Sequence, residues 1–329
     1  MSQSVLVLAN VRRTVAGWAD SLALLRSRGY QVDDPGEALE PEEAARRAAA
    51  ADAIIVGGTH PLRADVLEAA RRLRVVSRQG VGMDNVDVEA ATRLGVLVCN
   101  TAGCNSDAVS DHAFALLLSL TRDIGRLDAR VRAGQGWEDG WPPTLTQLAG
   151  KTLAILGTGN IGGKMARRAA AFGMRIVAHD LAPNPALTDE YKVRYLPLAE
   201  MLPLADVLTV HVPLTPLTRG MIGAAQIALL RPQALLINTG RGGVVDEQAL
   251  AEAVRGGLLG GAGVDVFEVE PRLQSPLFDL DRVVLTPHIG GSSVESSTAA
   301  RMWAAENLLA YFEGNPRNVL NPEVVQTPR

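Results

Sequence analysis

The sequence predicts an α/β protein built as two doubly wound parallel sheets with helices on their faces. Three observations carry this expectation. Short β-branched or leucine-rich runs alternate with helical patterns nearly everywhere: SVLVLA, a helix near Trp18 to Ser27, then ADAIIVGG, LRVVSRQG and GVLVCN. Such alternation is the mark of βαβ units. The theme starts afresh at Thr152, after a less regular stretch, GQGWEDGWPPTLTQLAG, that reads as a junction. The length, 329 residues, exceeds what one hydrophobic core comfortably serves. Apolar residues make up 47% but aromatics only 4%, so the cores must be built from Ala, Val, Leu and Ile, the usual filling between helices and a parallel sheet.

Several function classes fall away on composition. A net charge of −4, with acids and bases interspersed, offers no electrostatic footprint for nucleic acid or an anionic membrane, and favours a small-molecule partner. The run EEAARRAAA reads as the solvated face of a helix. Cys99 and Cys104 lack a metal-type partner set, so two reduced thiols in a cytoplasmic protein are expected, with no metal site and no disulfide. MSQSVLVLAN has no basic region before its short apolar run and reads as a first strand, not a signal peptide; no run is long enough to span a membrane.

Further along, SDAVSDHAFALLLSLTRDIGRLDARVRAG predicts one long helix from Ser106 to Arg132, too apolar to be fully solvated. It would be buried against a neighbouring domain or a partner subunit. Beyond Asp180, DVLTVHVPL, ALLINTGRGGVVDEQAL, GAGVDVF and RVVLTPHIGGSS read as four strands, each ending in a polar or glycine turn. Ligands of open α/β sheets collect at such carboxyl ends. SVESSTAARMWAAENLLAYFEG closes the chain as a helix that could return to the first domain.

TLAILGTGNIGGKMA sets Gly157, Gly159 and Gly162 in the G-x-G-x-x-G spacing, straight after an apolar strand and straight before a helix. The first glycine permits the tight turn, the second lets backbone approach a pyrophosphate, and the third lets helix and strand pack closely. N–H groups at the helix start face the anion. By itself the triplet is common, but MRIVAHD adds a second strand ending in Asp180, 23 positions after Gly157. An acid there accepts from the ribose hydroxyls and repels a 2′-phosphate, which points to NAD rather than NADP.

A nicotinamide-linked reaction needs a group that holds the substrate and an acid/base for the hydroxyl proton. Arg241 in INTGRGGVVDEQAL, Glu270 in DVFEVEP and His288 in TPHIGGSS stand ready at strand ends. In the order GVGMDNVD, GTGNIG, HVPLTPLTRGMIG, NTGRGGVVDEQAL, GVDVFEVEP and TPHIGG, the chain from about Leu73 to Ser293 resembles the D-isomer-specific 2-hydroxyacid dehydrogenase family. That family includes 3-phosphoglycerate dehydrogenases, hydroxypyruvate and glyoxylate reductases, and formate dehydrogenases.

The resemblance implies a catalytic set of Arg241, Glu270 and His288: the guanidinium clamps a 2-oxo acid, the imidazole exchanges the carbonyl proton, and the glutamate supports the imidazole. It implies a cofactor site for NAD made by Gly157, Gly159, Asn160, Ile161, Gly162, Asp180, Val212, Pro213, Thr218, Thr239, Asp265 and Gly290, with His211 close by. Substrate binding falls to Arg78, Val81 and Gly82 with Gly80, beside Arg241, backbone N–H groups of the glycine loop receiving a carboxylate. Arg78 could take a second anionic group or simply form a surface ion pair. Where many members read NTPG followed later by an Ala-Glu pair, this chain has Ala102 and Asp111.

The resemblance also implies two Rossmann-like domains: residues 103–289 bind NAD, while residues 1–102 and 290–329 form a flavodoxin-like substrate domain, with catalysis in the cleft. The chain ends soon after its closing helix, so no extra regulatory domain is expected. A cytoplasmic homodimer is expected, with the Ser106–Arg132 helix at its interface. The substrates it suggests are hydroxypyruvate, glyoxylate and 3-phosphohydroxypyruvate. Two other readings remain open: an NAD-sensing corepressor-like binder, and a formate or phosphonate dehydrogenase of the same family.

Overall fold

The computed structural model describes residues 3–9, 17–58, 60–137, 145–272 and 274–325. Two compact units divide the chain: Met1–Asn105 with Ser292–Arg329, and Ser106–Gly291. The first alternates β1 (Ser4–Leu8), α1 (Trp18–Ser27), β2 (Gln31–Asp33), α2 (Pro41–Ala48), β3 (Ala53–Val56), α3 (Ala64–Ala69), β4 (Val75–Arg78), α4 (Val88–Arg93) and β5 (Leu97–Cys99). All pairings are parallel, in the order β2-β1-β3-β4-β5. This is the flavodoxin-like order. Side chains alternate across the sheet as the strand period demands: Leu6 and Leu8 enter one apolar layer, Val5 and Val7 the other. The charged run at 42–50 falls largely on α2, where Ala44 and Ala48 face inward, acids sit in the first turn and arginines in the last, each suited to the helix dipole.

The second unit begins with α5 (Ser106–Arg122) and α6 (Ile124–Arg132), then runs through β6 (Thr152–Leu156), α7 (Asn160–Ala171), β7 (Arg175–His179), α8 (Pro185–Tyr191), β8 (Arg194–Tyr195), α9 (Leu198–Met201), β9 (Val207–Val210), α10 (Ala224–Ile227), β10 (Leu235–Asn238), α11 (Glu247–Arg255), β11 (Gly261–Val264) and β12 (Val283–Leu285). The chain then returns to the first unit as α12 (Val294–Phe312). The seven-stranded parallel sheet is ordered β12-β11-β10-β9-β6-β7-β8. Strand order reverses between β6 and β9, the switch point at which such sheets bind ligands beyond their carboxyl ends. Leu153, Ile155 and Ile237 turn towards α5 and α7; Ala154, Leu156, Leu208 and Leu236 turn to the opposite layer with α10 and α11.

The expected single helix over Ser106–Arg132 is two helices. Asp123 interrupts it with a left-handed backbone, φ 54°, and its carboxylate accepts from the Arg126 guanidinium. The two parts also differ in environment. α5 buries Val109, Ala113, Phe114, Leu116, Leu117 and Leu120, the middle of them against the sheet of its own unit, whereas α6 buries nothing. The apolar excess of α5 is therefore consumed inside the unit. The irregular stretch before Thr152 lies within the second unit's span, and its residues 138–144 fall outside the described residues.

Candidate active site

The β6–α7 turn shows why three glycines stand there. Gly157 has φ +90°, and a Cβ on it would lie 2.8 Å from Val212 Cγ1. At Gly162 a Cβ would lie 2.0 Å from the Gly157 carbonyl oxygen, so only hydrogen lets α7 sit on the strand turn. A Cβ on Gly159 would meet nothing within 4 Å, leaving open space over the start of α7, where Asn160 and Ile161 form the first turn. Asp180, at the end of β7, accepts from Thr158 N at 2.6 Å, Thr158 Oγ1 at 3.0 Å and Ala182 N at 2.8 Å. Burial works to raise its pKa, but these hydrogen bonds outweigh it and hold the carboxyl below its usual range. Tyr195, on β8, donates to the same Thr158 hydroxyl at 3.1 Å. Neither Thr158 nor Tyr195 carries a motif that would single it out in the sequence.

Val212 and Pro213 follow β9 directly, Val212 leaning over the glycine turn. Thr218 differs in kind: its hydroxyl donates to Pro213 O at 2.6 Å and accepts from Thr215 N at 2.8 Å, so it is spent on closing its own turn. His211 accepts or donates at 2.8 Å to Thr209 through Nε2, while its buried Nδ1 has no partner among the described residues. Burial pushes this imidazole down to about 3 and keeps it neutral. At the end of β10 the buried Thr239 hydroxyl likewise has no partner. An orphaned hydroxyl, open space over Gly159 and an acid fixed beside the glycine turn together fit a dinucleotide laid across the switch point.

β10, β11 and β12 are neighbours in register, Asn238 beside Val264 and Val264 beside Leu285, so the segments that follow them emerge side by side. Asn238 builds the Arg241 turn by accepting from Gly240 N at 3.1 Å and donating to Arg241 O at 3.1 Å. Gly242 then presses onto the next turn: a Cβ there would lie 2.0 Å from Phe267 C. That contact ties the Arg241 turn to the loop carrying Glu270. Glu270 accepts from Phe267 N at 2.8 Å with one oxygen and from His288 Nδ1 at 2.5 Å with the other. A carboxylate only accepts, so the Nδ1 proton is fixed and Nε2 is the nitrogen free to exchange a proton. Asp265 is buried beneath, taking His288 N on its carbonyl at 2.8 Å and Ile289 N and Gly290 N on its carboxylate at 2.9 and 2.7 Å. Both of its oxygens thus serve the turn that presents His288.

The remaining predicted residues lie in the first unit, at the end of β4. Arg78 donates to Gln79 O at 2.7 Å and folds over Gly80, whose φ of +128° and lack of a side chain make room for the guanidinium. Gly80 N donates to Thr101 Oγ1 at 2.8 Å, and Asn100 Nδ2 to Val81 O at 2.9 Å, so the loop is held from the end of β5. Asn100 also accepts from Ala102 N at 3.1 Å, fixing the segment that follows β5. Asp111, the other departure, accepts from Arg168 Nε on α7 at 2.7 Å. Among the described residues there is no group of His, Cys, Asp and Glu able to hold a metal.

Fold and site together define a nicotinamide-dinucleotide-dependent oxidoreductase. Residues 114–290 match the family model described as D-isomer specific 2-hydroxyacid dehydrogenase, NAD binding domain. The chain belongs to that family, and is an NAD-dependent 2-hydroxyacid dehydrogenase. It is 42% identical over 281 residues to a glyoxylate reductase of Thermococcus litoralis, spanning 83% of this chain and 85% of the relative. Identity is 43% over 267 residues to a D-3-phosphoglycerate dehydrogenase of Mycobacterium tuberculosis, spanning 80% of this chain but half of that longer protein. The crystal structure of a glyoxylate reductase from Paecilomyes thermophila superposes with a TM-score of 0.87 at 28% identity, covering 98% of this chain and 99% of that one.

Proposed function

We propose that the protein reduces a small, unphosphorylated 2-oxo acid of the glyoxylate or hydroxypyruvate type, with NADH in preference to NADPH. The Glu270–His288 pair carries this reading, following strands next in the sheet to β10, whose end carries the Arg241 turn and the orphaned Thr239 hydroxyl. Arg241 would take the substrate carboxylate in its planar fork. His288 Nε2 would give its proton to the carbonyl oxygen during reduction and recover it during oxidation, Glu270 stabilising the imidazolium between the two. The bound dinucleotide supplies the hydride. Among the described residues no intramolecular acceptor takes the N–H groups of Val81 and Gly82, which leaves that loop able to receive an anion.

One observation favours the small substrate over the phosphorylated one. Arg78, the cation that could have met a phosphate, turns its guanidinium into its own loop. NADH is favoured because Asp180 stands where a 2′-phosphate would be repelled. A panel of glyoxylate, hydroxypyruvate, 3-phosphohydroxypyruvate, pyruvate, formate and phosphite, run with the matching oxidised or reduced NAD and NADP, tests the reading. Preferred turnover of phosphohydroxypyruvate, or NADH binding without turnover of any donor or acceptor, overturns it; the second result is that of a sensor.

A homodimer is part of the same proposal, its interface lying on α6 rather than α5. Ile124 is 54% exposed and Val131 50%, and Trp137 just beyond them is 80% exposed. Ile124→Glu with Val131→Glu is expected to shift the protein from dimer to monomer in sedimentation, and a wild type sedimenting as a monomer at micromolar concentration refutes it. A cytoplasmic place of action is proposed on the two free thiols, Cys99 and Cys104. Cell fractionation tests it.

A further inference from the structure

We infer that His112 is a positioning residue for His288, acting through the Thr286 hydroxyl on the Asp265 carboxylate. The inference rests on His288 being the proton donor proposed above. Asp265 is 1% exposed, and its carboxylate is met from three directions: Thr286 Oγ1 at 2.6 Å and Ile289 N at 2.9 Å on Oδ1, Gly290 N at 2.7 Å on Oδ2. The turn it holds places His288 at φ +53°, in the left-handed region that side-chain-bearing residues seldom enter. Whatever fixes this carboxylate therefore fixes the imidazole that the turn presents.

His112, on α5, reaches Thr286 Oγ1 with Nε2 at 2.8 Å, and the same nitrogen lies 3.5 Å from Asp265 Oδ1. The direction of the chain follows from counting hydrogens. The hydroxyl has one, and the carboxylate can only accept, so Thr286 donates to Asp265 and must itself accept from His112 Nε2–H. With His112 in place the hydroxyl oxygen is held from both sides; without it Thr286 keeps only its bond to Asp265, and the pair loses the anchor that ties it to α5. The assembly is close-packed, for a Cβ on Gly290 would lie 2.8 Å from Asp265 Oδ2 and 3.2 Å from His112 Cδ2. A small drift of the carboxylate is passed to the turn, and a catalytic group misplaced by about 1 Å costs roughly a hundredfold in rate.

The full-length variants His112→Ala, His112→Gln, Thr286→Val, Thr286→Ser and His288→Asn are assayed with the best 2-oxo acid of the panel and NADH. Glutamine returns an N–H donor at the reach of Nε2, and serine returns the hydroxyl. His112→Ala and Thr286→Val are each expected to lose about 10- to 100-fold in kcat, with KM for the oxo acid and Kd for NADH held within about twofold. His112→Gln and Thr286→Ser should recover most of the loss, and the Ala/Val double variant should be no slower than the worse single, as for members of one chain. Unchanged kcat in His112→Ala, a loss that falls on KM or on NADH affinity, or a loss that glutamine does not restore overturns the inference. If His112→Ala does not fold, the Thr286 pair decides alone. Should His288→Asn retain turnover, the reading of the site fails; should it be inactive while His112→Ala is not slowed, only the positioning role fails.

Discussion

Two alanine substitutions three residues apart on one turn should fail in opposite ways. A Cβ at Gly162 would stand 2.0 Å from the Gly157 carbonyl oxygen and 3.2 Å from Ile155 Cγ2. Ordinary contact begins at about 3.5 Å, so the first turn of α7 must withdraw by about 1.5 Å, against Met165, Ala166 and Ala169 buried below it. The obstacle is backbone and cannot rotate away. Alanine gains about 1 kcal/mol of helix propensity over glycine, and overpacking costs about 1–3 kcal/mol or more. With an immovable neighbour the upper end applies, leaving a net loss of about 2 kcal/mol, or about 4–8 °C in Tm for a unit of this size.

Gly159→Ala meets nothing within 4 Å, so Tm should hold. Its methyl group instead occupies the space over the α7 N–H groups. Losing hydrogen bonds to a charged partner costs about 1.5–3 kcal/mol, which weakens NADH binding about 10- to 100-fold. Thermal unfolding without cofactor and NADH titration by fluorescence measure the two effects separately. A Gly162→Ala protein as stable as the wild type, or a Gly159→Ala protein that binds NADH normally, refutes the reasoning.

Other outcomes follow from the same geometry. His211 is held neutral by burial, down to about 3, so below pH 6.5 the unfolded chain takes up a proton that the folded protein refuses. Stability should then fall with pH between about 6.5 and 3 by up to about 1.4 kcal/mol per pH unit from this group, and His211→Asn should flatten that slope in urea unfolding at pH 7, 5.5 and 4; equal slopes count against it. Asp180→Ala removes the acid that repels a 2′-phosphate, and the ratio of kcat/KM for NADH over NADPH should drop at least about tenfold. Glu270→Gln should lower kcat by about 10²–10³ with little change in NADH affinity, and Arg241→Lys, which replaces a fork by a point charge, should cost about 10- to 100-fold in kcat/KM for the oxo acid.

Much of the architecture was legible because its signals are local. Alternating apolar runs and polar turns place the strands β9 to β12 where the sequence predicts them, and the G-x-G-x-x-G spacing with a distant acid marks β6, α7 and β7. The helix break at Asp123 was not legible, since an aspartate between two helical patterns gives no sign of a left-handed backbone. β8 is two residues long and carries no periodicity. Of the site, the residues at strand ends stood out through their flanking glycines and prolines. Those behind them did not: Asn238, Thr286 and His112 do their work through hydrogen bonds to residues 3, 21 and 174 positions away. The two long-range pairings exist only once β11, β12 and α5 are packed together. For Thr218 and Asp265 the motif names the position, while the hydrogen bonds that their oxygens make to their own turns are seen only in the fold.

The interrupted path of the first unit bears on how the protein is made. One face of its sheet, carrying Val5, Val7, Ala53 and Leu97, is sealed by Ala304, Ala305, Leu308 and Leu309 of α12. Those residues leave the ribosome only after all of Ser106–Gly291 has been synthesised. Leu22 and Leu25 of α1 cover part of that face from the start, but at a translation rate of about 5–20 residues per second the rest waits for on the order of ten seconds or more, while the contiguous second unit can finish folding. The unit that begins the chain is thus the last to be completed, and its amino-terminal segment the one a chaperone would have most reason to guard.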